Sequence, residues 1–201
     1  IEFDYPEKIK SVTNGFLPAF HPLKLRQHFR ASNYYPVGTL PHTFTYYCNE
    51  GYGLVTYESD RFGLRNEDKN WDKIPKEGAT FFVGDSFTHG GCVENESSIT
   101  EIFSKSVGVN TLNTGVSANG PYEYIAVLRS VIKPIITSLK GPEYAVVLVF
   151  YDNDNVAVDE SIDNHLAAIK PIATVEPNST INVSTNYLST LNSIIKQNYP
   201  T

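Results

Sequence analysis

At 201 residues, 41% of them hydrophobic, the chain can bury a real core as one domain with or without an extension, which excludes a disordered or fibrous protein. Its 16 basic against 22 acidic residues leave a net charge of −6, and with no basic stripe or nucleic-acid motif in view, nucleic acid is excluded as the natural partner. Lys133, Pro134 and charged neighbours interrupt the longest apolar runs, so no membrane span is expected.

Residues 1–78 read as a loop-rich N-terminal extension, dense in aromatic residues, prolines and turn formers. It holds one helix-like segment, Leu23 to Arg30, and two alternating segments, Thr43 to Cys48 and Gly53 to Glu58, that pair as a hairpin. Residues 79–201 read as an α/β domain. The apolar run Ala79 to Val83 stops at Gly84 and reads as a short buried strand. A helix follows from Ser98 to Val107, then a short strand near Asn110 to Asn113 and a helix from Tyr122 to Leu139. Pro121 suits that helix's first turn, and Pro134 should kink or split it. Tyr144 to Tyr151 reads as a strongly apolar strand. Beyond residue 155, Asp159 to Lys170 reads as helical and Ile172 to Val175 as a short strand. Thr185 to Gln197 reads as an amphipathic helix with Tyr187, Leu188, Leu191, Ile194 and Ile195 on one face.

Strand and helix alternating in this way, with right-handed crossovers, predict a three-layer, doubly wound, mostly parallel sheet. Its open rim collects the ends of strands 79–84 and 144–151, which brings Ser86 and Asn153 together. A serine hydroxyl at that rim can meet substrate while nearby backbone N–H groups face a developing oxyanion. Other chemistries fit less well. Gly84-Asp85-Ser86-Phe87-Thr88 is not Gly-x-Ser-x-Gly, and Gly90-Gly91 lacks the Lys-Ser/Thr of a phosphate loop. Asp152-Asn153-Asp154-Asn155 has a calcium-loop flavour, but Ala157 and Asp163 stand where an EF-hand needs glycine and glutamate. No metal or cofactor is expected.

Phe82-Val83-Gly84-Asp85-Ser86-Phe87-Thr88-His89-Gly90-Gly91 resembles the first block of the SGNH (GDSL) hydrolases. Leu112 to Gly120 resembles the second block and Val147 to Asp154 the third, in the right order, so the resemblance spans roughly residues 55 to 155. It implies a flavodoxin-like SGNH fold and a serine esterase that hydrolyses, or transfers, a small acyl ester through an acyl-serine, with a carbohydrate or other surface-associated substrate. Ser86 would be the nucleophile. The backbone N–H groups of Ser86 and Ala118 and the Asn153 side-chain amide would hold the oxyanion. Ala118 stands where the family has glycine, and an alanine tolerates positive φ less well. Asp60 to Asn66 resembles a segment that precedes the serine block in bacterial members, and Arg65 there binds an anionic substrate group or makes an internal ion pair. Asp85 orients the serine loop or is a turn aspartate.

The family's Asp-x-x-His base has no counterpart after Asn153. The expectation is therefore a domain whose base lies beyond Thr201; the alternative is His165 as base, oriented by Asp163 or Asp159. His89 is too near Ser86 in sequence to reach it in line and is expected at the surface or lining the substrate site, while His21, His28 and His42 have no aspartate two residues ahead. The rival reading is a catalytically silent SGNH-like module with a binding or assembly role. Ile1 and the absence of methionine fit a processed N-terminus or a fragment, and a removed signal peptide would give an extracellular or periplasmic protein. Cys48 and Cys92 either pair or remain buried thiols; both follow segments expected near the serine rim, so a bridge between them is the expectation. Oligomeric state is not legible.

Overall fold

The computed structural model of the chain describes residues 17–18, 26, 28–29, 32–49, 51, 53–151, 154 and 166–198. The expected hairpin is present as β2 (Phe44–Tyr46) and β3 (Thr56–Glu58), antiparallel with Phe44 opposite Glu58, and β1 (Leu17–Pro18) adds to it in parallel. Of the helix expected over Leu23 to Arg30, the described residues Arg26, His28 and Phe29 are helical.

A helix that the sequence did not announce, α1 (Lys69–Glu77), closes the extension. Asn70, Asp72 and Pro75 are poor helix formers, so local propensity points to a loop. Tertiary burial decides otherwise: Trp71 and Ile74, three residues apart, lie on one face and are both fully buried. Gly78 ends the helix at φ +73°, its N–H returning to the Ile74 carbonyl.

The central sheet has the order β5 (Thr111–Asn113), β4 (Ala79–Val83), β6 (Tyr144–Leu148), all parallel, with Phe82 opposite Asn113 on one side and Val147 on the other. A parallel strand with neighbours on both edges and helices on both faces is largely apolar, and all five β4 residues, Thr80 among them, are buried. Four residues after Gly84 form the short helix α2 (Ser86–His89). Next comes α3 (Ile99–Val107), where Ser98 Oγ accepts the Glu101 N–H as an N-cap; Phe103 on α3 packs edge-on against Phe82 at 5.1 Å. On the other face Phe81, Val83 and Leu112 join one continuous core with Trp71, Val131, Ile132 and Ile135, and Phe29, Val37, Leu40 and Leu64 of the extension pack into the same core.

The helix expected over Tyr122 to Leu139 is split at Pro134, as α4 (Pro121–Val127), a π-helical turn (Leu128–Ile132) and α5 (Lys133–Ser138). Pro134 has no N–H for the Ser130 carbonyl. That carbonyl instead accepts the N–H of Ile172 at 2.8 Å, which seats the following strand. This strand, β7 (Ala173–Val175), pairs antiparallel with β8 (Ile181–Val183), a strand missed among polar residues 178–184. The last helix, α6 (Thr185–Asn198), buries Tyr187, Leu191 and Ile194 with Leu188 and Ile195 packed beside them, the face its spacing predicted. The segment expected to be helical from Asp159 lies outside the described residues up to 165.

β6, strongly apolar in sequence, is the edge of the sheet among the described residues, and Val146, Leu148 and Phe150 on one face of this segment are 44%, 53% and 57% exposed. An apolar run reports composition and strand propensity; it does not report what packs on either face. No helix among the described residues is long and apolar enough to cross a membrane.

Candidate active site

The site is built on the C-terminal end of β4. Gly84 leaves the strand, Asp85 caps α2 by accepting the Phe87 N–H on Oδ1 at 2.9 Å, and Ser86 opens the helix half-buried. Asp85 thus caps the turn that carries Ser86, and it is buried with Oδ2 unpartnered among the described residues. The second-block loop runs alongside: Thr114 N–H bonds the Phe82 carbonyl at 2.8 Å and Val116 N–H the Gly84 carbonyl at 3.2 Å. Two glycines permit this approach. A Cβ on Gly84 would lie 2.1 Å from Thr88 Oγ1, and one on Gly115 would lie 2.4 Å from Thr88 Cβ and 2.8 Å from the His89 nitrogen.

Among the described residues, neither the Ser86 N–H nor the Ala118 N–H donates a hydrogen bond, and Ser86 Oγ has no partner. Ala118 is exposed, at φ +59°. The left-handed conformation is what a glycine would take there without cost. Relief of about 1–2 kcal/mol of strain, less about 0.4–1 kcal/mol for the freer unfolded chain, gives Ala118→Gly a net gain of about 0.5–1 kcal/mol. A thermal melt should show a rise of roughly 2–4 °C per kcal/mol; a lower melting temperature would contradict this conformation at 118.

No protein-family model, curated protein or solved structure matches this chain.

His89 is not at the surface. It is 4% exposed, because α2 turns its side chain inward, away from solvent. Its Nδ1 lies 3.1 Å from Ser117 Oγ and 3.4 Å from the Ser117 backbone nitrogen, and its Nε2 lies 3.3 Å from the Tyr57 hydroxyl. Tyr47 donates its hydroxyl proton to the same Ser117 Oγ and stacks tilted on the His89 ring at 4.6 Å. Burial raises the Tyr57 phenol, the Arg65 guanidinium opposing it from over the ring at 5.4 Å. Tyr47, Tyr57 and Ser117 were not singled out from the sequence. Their pairings span 28 to 70 residues and leave no local pattern.

Arg65 makes no ion pair among the described residues. It is buried and donates to the carbonyls of Gly90 at 2.7 Å and Val93 at 2.9 Å, so it holds the exit of the serine loop. Desolvation lowers its pKa. The bridge between Cys48 and Cys92 is formed, Cα to Cα 5.3 Å, and ties the hairpin to this same loop.

Asp154 accepts the Tyr124 hydroxyl and the Tyr151 N–H on Oδ2, both at 2.9 Å, and so ties Tyr151 to α4. Phe87 and Tyr151, about half exposed, stack at 4.6 Å beside it. Asn153, His165 and His21 lie outside the described residues. His42 lines clefts of about 480 and 690 Å³, the first shared with Tyr57 and Arg65, and neither includes Ser86. No group of three metal-ligating side chains occurs among the described residues.

Proposed function

We propose that the protein is an SGNH-type serine esterase in which Ser86 attacks an acyl carbonyl and carries the acyl group, to water or to an acceptor hydroxyl. One observation carries the reading: a half-buried serine at the C-terminal end of a central parallel strand, with the Ser86 and Ala118 N–H groups on adjoining segments donating to no partner among the described residues. Donors held free at the place where negative charge develops are the largest source of stabilisation in acyl transfer. The resemblance adds Asn153 as a third donor and a small acyl ester on a carbohydrate or surface-associated substrate. The Cys48–Cys92 bridge supports an oxidising compartment, extracellular or periplasmic.

His89 does not serve Ser86 directly, since its Nδ1 faces Ser117 and its Nε2 faces Tyr57. The base is assigned to no described residue. That favours, as the second reading, a silent SGNH-like module. Turnover of p-nitrophenyl acetate separates the two. The esterase hydrolyses it, Ser86→Ala abolishes the activity, and Asn153→Ala lowers it by about a hundredfold or more with the fold intact. A folded wild type without turnover supports the silent module.

A further inference from the structure

The buried row Tyr47, Ser117, His89, Tyr57 has a direction. A backbone N–H can only donate, so the Ser117 N–H on His89 Nδ1 makes that nitrogen the acceptor and puts the proton of the neutral ring on Nε2, toward the Tyr57 oxygen. Ser117 Oγ–H then donates to Nδ1 while its lone pair accepts from Tyr47. Every polar atom of the row has a role that a phenylalanine, alanine or leucine could not fill.

The row joins the two segments that carry the N–H groups left without partners among the described residues. His89 sits in the same four-residue helix as Ser86, and Ser117 precedes Ala118. Their contact adds to the backbone bond from Val116 to Gly84 and the Asn113 bond to Thr88 in fixing one segment against the other. Tyr47 braces that contact from outside: a Cβ built on Gly91 would lie 3.7 Å from both the Tyr47 ring and Ser86 Cβ. Tyr47 is in turn anchored by its neighbour Cys48, bridged to Cys92 one residue beyond Gly91.

We propose that Tyr47, Ser117 and His89 are positioning residues that align the Ser86 and Ala118 donors, and that the Cys48–Cys92 disulfide is the latch that keeps Tyr47 on them. The proposal rests on Ser86 being the nucleophile. No proton need pass along the row. Its effect is geometric and falls on the transition state, where donors must meet an oxyanion, more than on substrate binding.

The test is steady-state kinetics on p-nitrophenyl acetate with the oxidised wild type, Tyr47→Phe, His89→Gln and His89→Leu, each checked by thermal melting. Tyr47→Phe keeps the ring and removes only the hydroxyl. It should lower kcat by about tenfold or more, short of the roughly hundredfold cost of losing a donor outright, and leave KM within about twofold. Glutamine offers both an acceptor and a donor, so His89→Gln should retain more kcat than His89→Leu. Reducing the disulfide should lower wild-type kcat and add little to Tyr47→Phe, because both release the same brace. An unchanged kcat in folded Tyr47→Phe overturns the proposal while Ser86 keeps its role. A wild type that is inert, or a Ser86→Ala variant as active as the wild type, overturns the Ser86 reading and this proposal with it.

Discussion

Replacing Asp60 by alanine should be the most destabilising single change in the described structure away from the apolar core. The carboxylate is fully buried and collects four donors: the N–H groups of Phe62 and Leu64 on Oδ1, both at 2.8 Å, and Trp71 Nε1 at 2.7 Å and Asn66 Nδ2 at 2.8 Å on Oδ2. Alanine strands the first three in the interior, at about 1–3 kcal/mol each. Asn66 keeps its bond to the Asn113 carbonyl. Some of the loss is returned because a buried charge is removed as well. A net cost of about 3 kcal/mol or more follows, and a melting temperature lower by roughly 6–12 °C.

The effect should also depend on pH. Burial pushes the Asp60 carboxyl up to about 6 from an ordinary 3.8, against the pull of its four donors. A raised folded value means that the folded protein binds this proton more tightly than the unfolded chain. The titrating contribution is therefore complete below the ordinary value near 3.8 and is lost as pH rises through about 6. The gap between wild type and Asp60→Ala should widen from pH 7 to pH 4. A gap that narrows in that interval would contradict the assignment.

The second large effect is expected at Gly115. A methyl there would overlap Thr88 Cβ at 2.4 Å, Thr88 Cγ2 at 2.6 Å and the His89 backbone nitrogen at 2.8 Å, so no side-chain rotation relieves it and α2 must move off the second-block loop. Overpacking of this kind costs about 1–3 kcal/mol. The functional loss should be larger than that suggests. Asn113 holds the same junction, donating from Nδ2 to the Thr88 carbonyl at 2.8 Å and accepting the Gly115 N–H on Oδ1 at 3.0 Å. Displacing α2 moves the Ser86 N–H relative to Ala118, and a misplacement near 1 Å can cost about a hundredfold in rate. Gly115→Ala should therefore fold, melt several degrees lower and turn over p-nitrophenyl acetate about a hundredfold more slowly. Wild-type turnover in Gly115→Ala would show that the spacing of these loops does not matter.

What could be read from the sequence was whatever local pattern determines. Ala79 to Val83 is largely apolar and buried at every position because the strand is central to its sheet and covered on its faces. The place of Ser86 at a strand end followed from that run and its stop at Gly84. Elements decided by distant partners were not legible: α1 is a helix because Trp71 and Ile74 find the core and Asp60, and β6 is an edge although its residues suit an interior strand. The same holds within the site. The disulfide was foreseen by placing both cysteines near one rim, whereas the burial of His89 was not legible, because its partners, Tyr57 and Ser117, come from the hairpin and the second-block loop.

The central claim is that Ser86 is an activated nucleophile, and covalent capture tests it most directly. A fluorophosphonate attacked by a serine hydroxyl loses fluoride and leaves a stable phosphonyl ester, whose tetrahedral oxygen needs the same donors as the acyl transition state. Mass spectrometry of the labelled, digested protein should place one adduct on the peptide carrying Ser86, with none in Ser86→Ala. An adduct on another serine, Ser117 included, or equal labelling of Ser86→Ala would contradict the account.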